Sequence, residues 1–334
     1  MSVASFRDLP KIELHCHLDA CVRLETAREI GRELGRPLPE RLEDALVAPE
    51  VCASLFDYIR RLDLALEVMQ RPADLTRIAR EVVEDFAHDG VVYAEVRFAP
   101  QLHTRRGLTP QQVVGAVHAG LTEGGRSHGV KTGLILCCLR HQAPEEGLRV
   151  ARLAAANTDK VCALDLAGDE GGHPDATPHV AAFRVAREAG LHLTAHAGEN
   201  AGARGVRDAL DMLGVERVGH GVRIEEDPSL VDRVAGEGVA LDMCPRSNVQ
   251  TRAVASLATH PIDRLLRRGV RVTVSTDGRT TSDTTVTREF ERLQAQFGWG
   301  LDEFFACQRN AALAAFAPAD VREALLARVP AAGR

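Results

Sequence analysis

The sequence predicts an α/β protein, a (β/α)8 TIM barrel with extra helices after strand 1 and at the C-terminus. Three observations carry this reading. Eight short apolar runs recur along the 334 residues, at 11–18, 91–99, 130–139, 161–168, 192–198, 217–221, 239–244 and 271–277. They are rich in Val, Ile and Leu and nearly continuous, as in strands covered on both faces. Helix-like stretches lie between them, among them 110–127, 175–189, 204–213 and 261–268, and such alternation closes into a barrel with a helical outer ring.

Strand 1 (KIELHCHL) opens the barrel, and a helical insert then spans about 24–90. Within it 51–70 and 72–90 show helical periodicity, and Pro72 suits a helix start. After strand 8 come helical segments at 284–297, 301–316 and 319–329. No low-complexity linker interrupts the chain, so 1–334 reads as a single domain.

Composition narrows the class. Hydrophobic residues at 45% and charged residues at 26% fit a soluble globular enzyme. A net charge of −6 argues against nucleic acid as a partner. The lack of any apolar stretch of about 18 residues argues against a membrane span. The N-terminal MSVASFRDLPKIELHCH lacks the basic-then-apolar pattern of an export signal, and the eight cysteines form no CxxC pair. A cytoplasmic protein without disulfides is expected.

His15 and His17 are two apart on strand 1, so both imidazoles face one side. Strand 5 ends in His196-Ala-Gly-Glu199, strand 6 in His220 and strand 8 in Asp277. All lie at C-terminal strand ends, where barrel enzymes place catalytic groups. His15, His17, His196 and Asp277 make a donor set for one divalent metal. Nitrogen and oxygen donors without thiolate suit zinc; iron, manganese or cobalt also fit. Glu199, three residues after His196, is placed for general acid/base work. His220 is either a group that orients or deprotonates water, or a hydrogen-bonded core residue. A second metal would need a bridging carboxylate, often a carbamylated lysine after strand 4. The chain has three lysines against 38 arginines, and Lys11, Lys131 and Lys160 all fall at strand starts, so one metal is the better reading.

Seven segments then resemble the adenosine deaminase family: KIELHCHLDA (11–20), YAEVRFAPQLH (93–103), ALDLAGDE (163–170), HAGE (196–199), VGHG (218–221), CPRSN (244–248) and STDGRTTSDTTVTREF (275–290). They occur in family order over about residues 10–320. The resemblance implies a mononuclear zinc barrel that hydrolyses adenosine, or a close 6-aminopurine nucleoside, to the 6-oxo product and ammonia. The implied partner is a small purine nucleoside or base. In family terms His15, His17, His196 and Asp277 match the zinc ligands, and Asp277 also holds the attacking water. Glu199 matches the carboxyl that protonates purine N1, and His220 the base or electrostatic aid for that water. Gly168 matches the position whose backbone N–H meets N3, and Asp19 the carboxylate that binds the ribose 5′-hydroxyl. The 24–90 insert is the candidate lid.

One departure stands out. The family commonly carries an acidic residue or Asn directly after the strand-8 Asp, contacting N7; here it is Gly278. Either a water or neighbouring group substitutes, or specificity moves towards adenine, an N6-substituted adenine or another nucleoside. Arg246 reads as a structural arginine, with a substrate phosphate or carboxylate as the other reading. Thr281 and Asp283 are further pocket candidates; Asp169 and Glu170 read as capping or solvating their loop, with ligand contact as the other reading; His103 and His141 are candidates to line the pocket or hydrogen-bond within it, outside the ligand set. A purine-binding protein without catalysis is the alternative from another class; the complete set, general acid included, speaks against it.

Overall fold

The computed structural model describes residues 6–329; the first residues of the segment read for an export signal lie outside that range. All eight expected strands form: β1 (Lys11–His17), β2 (Val91–Phe98), β3 (Lys131–Leu139), β4 (Ala163–Ala167), β5 (His192–Ala197), β6 (Arg217–His220), β7 (Ala240–Met243) and β8 (Arg271–Val274). They pair in sequence order, every pair parallel. The barrel closes beyond the end of β8, where Cys16 and Asp277 form an isolated parallel bridge. The His17 N–H donates to the Asp277 carbonyl at 2.7 Å, and the Asp277 N–H donates to the His15 carbonyl at 2.9 Å. Strand 8 was expected to run to 277; its ladder stops at Val274, and Asp277 itself takes a left-handed φ of 63°.

Alternation sorts each strand's side chains. On β1, Ile12 and Leu14 pack against Ala311 and Ala312 of the helix Leu301–Ala314, whereas Glu13, His15 and His17 take the other face. That inner face is not apolar. Glu95, Arg97, Asp165, Arg217 and Asp242 are all fully buried there. Arg217 Nε lies 2.6 Å from Asp242, and its Nη2 pairs with Glu95. Arg97 Nη1 donates to Asp165 at 3.0 Å and its Nη2 to the Leu14 carbonyl at 2.7 Å. Glu13 joins β1 to the end of β8, accepting the Thr276 N–H at 3.1 Å and the Thr276 hydroxyl at 2.8 Å.

The insert holds α1 (Leu24–Glu33), α2 (Leu42–Leu46), α3 (Leu55–Ile59), α4 (Leu62–Val68) and α5 (Pro72–His88). The helix expected over 51–70 is thus two short helices that break at Arg60 and Arg61, which lets both fragments turn over the barrel mouth. The outer ring continues with α6 (Pro110–His128), α7 (Pro144–Ala155), α8 (Val180–Glu188), α9 (Gly202–Asp208), α10 (Pro228–Glu237), α11 (Pro245–Gln250) and α12 (Ile262–Arg267). Pro at the first helical position starts α5, α6, α7, α10 and α11, where a missing N–H costs nothing. The segment expected as one helix over 204–213 passes from α9 into a π-turn at Ala209–Leu213. The chain ends in α13 (Val286–Phe297), α14 (Leu301–Ala314) and α15 (Ala319–Arg328). No described helix is long and apolar enough to cross a membrane.

Removing one partner of a buried charge pair leaves the others uncompensated. Arg217→Met should therefore lower the unfolding free energy by about 3 kcal/mol or more, read from denaturant unfolding with circular dichroism.

Candidate active site

The strand ends bring four donors to one point. His15 Nε2 and His17 Nε2 lie 3.0 and 2.9 Å from His196 Nε2. Asp277 Oδ1 lies 3.4 Å from His15 Nε2 and 3.5 Å from His17 Nε2. Tetrahedral zinc with bonds of about 2 Å would set its ligand atoms roughly 3.3 Å apart. The cluster has the donor types and the spacing to hold one metal ion. Burial lowers the His15 pKa and pushes His17 down to about 3, which keeps both rings in the neutral, ligating form.

Groups behind the cluster fix its geometry. His196 Nδ1 lies 3.1 Å from Asp165 Oδ2, so the ring proton points at Asp165 and Nε2 is left free. Asp165 is in turn paired with Arg97. The Ser247 hydroxyl donates to Asp277 Oδ2 at 2.5 Å, leaving Oδ1 towards the histidines. Asp277 and His220 both sit at left-handed φ, 63° and 64°, a strain that non-glycine residues adopt mainly where the surroundings impose it. Asp165, Arg97 and Ser247 were not singled out from the sequence. A charged residue at inward parity inside an apolar strand was the available signal for the first two.

Glu199 is buried, and its Oε1 has no hydrogen-bond partner. Burial, aided by the Asp277 charge, raises its pKa to about 8. Its backbone is held from below. Glu170 is fully buried and accepts the N–H groups of Gly198 (2.8 Å), Glu199 (2.9 Å), Asn200 (2.6 Å) and Ala201 (3.0 Å). Glu170, read as a cap of its own loop after strand 4, instead holds the loop after β5, and does so from the interior. Gly198 needs its left-handed φ of 67°, and a Cβ there would meet Val206 at 2.5 Å. His220 Nε2 lies 3.8 Å from Glu199 Oε2.

These groups border a cavity of about 310 Å3, which His17, Asp19, Gly168, His196, Glu199, His220 and Asp277 line. Its outer wall comes from the insert: Leu55, Phe56, Tyr58, Ile59, Leu62 and Leu66. The insert is pinned down by Tyr58 Oη, 2.7 Å from Ser282 Oγ, and by the Ala48 N–H donating to Thr281 O at 2.7 Å. Asp19 offers a buried, unpartnered Oδ1 to the cavity. His141 lines it as well, whereas His103 is buried against the Met69 carbonyl at 2.9 Å. Thr281 and Asp283 do not line it: Thr281 holds the insert, and Asp283 pairs with Arg288. Arg246 pairs with Glu50 of the insert, which gives it the structural role. None of the three lysines lines the cavity.

Gly278 lies behind the lining residue Ala20. Its φ is not left-handed; a Cβ at 278 would come within 2.3 Å of the Ala20 Cβ. Space, not backbone strain, demands glycine there.

Asp165→Asn would keep the shape beside His196 but weaken the charge that orients the ring. Metal affinity should fall about 10- to 100-fold, measured by chelator competition.

A sequence profile of the adenosine deaminase family matches residues 10–332. An adenosine deaminase of Clostridium perfringens is 38% identical over 323 residues, covering 95% of this chain and 97% of that protein. Among solved structures, an adenine deaminase from Arthrobacter aurescens superposes with a TM-score of 0.90 at 31% identity, covering 96% of this chain and 98% of that one. An amidohydrolase from Burkholderia ambifaria with bound zinc gives 0.89 at 28% identity, covering 97% and 90%. Likeness of this extent, over nearly the whole chain and in the barrel itself, makes the protein a member of the adenosine deaminase family, hydrolytic deaminases that act on purines.

Proposed function

We propose that the protein removes the 6-amino group of adenosine or a close 6-aminopurine nucleoside by hydrolysis, with one zinc ion held by His15, His17, His196 and Asp277. The observation that carries this is Glu199: a buried carboxyl with an unpartnered oxygen, on the cavity wall beside the cluster. A carboxyl raised to about 8 keeps its proton at neutral pH and can give it to a ring nitrogen. Protonation at N1 makes C6 electrophilic and receives the electron pair displaced by attack there.

Zinc in this cluster supplies a Lewis acid that lowers the pKa of water. His220, 3.8 Å from Glu199, is placed to hold the attacking oxygen. Asp19 and the Gly168 backbone, both on the cavity, are assigned to the ribose hydroxyl and to N3. The C–N bond then breaks and ammonia leaves. Of the two protons that water brings, one leaves on ammonia and the other restores Glu199. The insert keeps solvent off this exchange.

The methyl of Ala20 over Gly278 favours a second reading, in which the base is adenine or a modified adenine, because that wall offers no side chain to the imidazole edge. An ammonia-release screen of zinc-loaded protein over adenine, adenosine, 2′-deoxyadenosine, AMP and N6-methyl analogues separates the two. Adenosine should give the highest kcat/KM; release from none of them would overturn both readings.

Two outcomes follow for Glu199. Glu199→Gln should lower kcat by about 10^3-fold or more, with zinc content unchanged by atomic absorption. Because the acid must carry its proton, kcat/KM of the unmodified enzyme should fall as pH rises through about 8.

A further inference from the structure

The CPRSN segment contains a residue that the chemistry above leaves unused. Asn248, on α11, is fully buried, and so is His260 before α12. The two connect a backbone amide to His220 through three hydrogen bonds, and a fourth fixes the Asn248 amide. The Ile262 N–H donates to His260 Nδ1 at 3.2 Å. That ring nitrogen must accept, so the neutral ring carries its proton on Nε2. His260 Nε2 lies 3.1 Å from Asn248 Oδ1 and donates to it. The Cys244 N–H also donates to Asn248 Oδ1, at 3.3 Å. Two donors on one atom fix it as the amide oxygen, so the amide Nδ2 is the atom that faces His220 Nδ1 at 3.0 Å. A backbone N–H sets the polarity at each end of the pair, and every link runs in the same direction.

We infer that Asn248 and His260 are positioning residues that lock neutral His220 in the Nε2–H tautomer, so that it meets the attacking oxygen as a hydrogen-bond donor. The inference rests on the proposed deaminase reading only for what His220 faces; the tautomer follows from the hydrogen bonds themselves. It chooses between two roles that sequence left open. A ring whose Nδ1 accepts from Asn248 and whose Nε2 carries the proton holds and polarises the oxygen; it does not take a proton from it at Nε2. The geometry fits this demand: with Nδ1 held on Asn248, His220 lines the cavity and its Nε2 lies 3.8 Å from Glu199 Oε2. Fixing the tautomer of a catalytic imidazole from behind is worth orders of magnitude in turnover elsewhere.

Asn248→Asp tests this at nearly constant shape. Its carboxylate still accepts from His260 and Cys244 but can only accept from His220, which moves the ring proton to Nδ1. Long-range 1H–15N correlation spectra of the histidine rings in zinc-loaded protein read the tautomer without substrate, with the His220 signal identified by its loss in His220→Gln. The unmodified protein should show Nε2–H and the Asn248→Asp variant Nδ1–H. With substrate, kcat should fall on the order of a hundredfold with KM within about threefold. His260→Gln, whose amide can still donate to Asn248, should keep kcat closer to the parent than His260→Leu does. An Nδ1–H signal in the unmodified protein, or unchanged kcat in Asn248→Asp, would overturn the assignment. Should Asn248→Asp fail to fold, the spectrum of the unmodified protein decides alone. Absence of turnover on all 6-aminopurines would sink the proposed function, while the tautomer is still decided by the spectra.

Discussion

The column of buried charge inside the barrel is the constraint on which the rest of the molecule depends. Ions removed from water are tolerable only when paired and hydrogen-bonded. Here Arg217 lies within ion-pair distance of both Glu95 and Asp242 in the lower barrel, and Arg97 joins Asp165 higher up. Asp165 then orients His196. The same network that compensates buried charge therefore ends on the back of a metal-donor ring. Its cost is fixed geometry, and fixed geometry is what a donor cluster needs.

Backbone strain sits where the chemistry does. Asp277 closes the barrel through two backbone hydrogen bonds to β1 while its side chain faces three histidines. His220 is likewise bent out of the β-region at the end of β6. Neither residue would choose these conformations alone; the surrounding ladders and side-chain bonds impose them. Glu170 completes the arrangement by holding the loop that carries Glu199.

The insert has a separate task. Its two short helices put apolar side chains over the mouth, and Tyr58, Ala48 and Glu50 tie it to the loops after β7 and β8. One element thus makes the cavity wall and excludes solvent from the groups beneath. The break at Arg60 and Arg61, invisible in a helical periodicity that runs through it, is what folds the segment over the opening.

Much of this was legible in the chain. Runs of Val, Ile and Leu marked all eight strands, because hydrophobic patterning is local. The HxH pair, HAGE, His220 and Asp277 were legible as a donor and acid set, because strand ends in a barrel share one face and side-chain parity follows from spacing. What the sequence could not fix were contacts between residues distant in the chain. Asp165 behind His196, Glu170 under Glu199, and the Asn248–His260 pair behind His220 are hydrogen bonds that exist only once the barrel closes. Gly278 is the sharpest case: read alone it is a missing side chain, but in the fold it is the only residue that fits against Ala20, 258 positions earlier. Composition and spacing determined which chemical groups the protein owns; tertiary packing decided which of them are neutral, which way their protons point and what stands behind each.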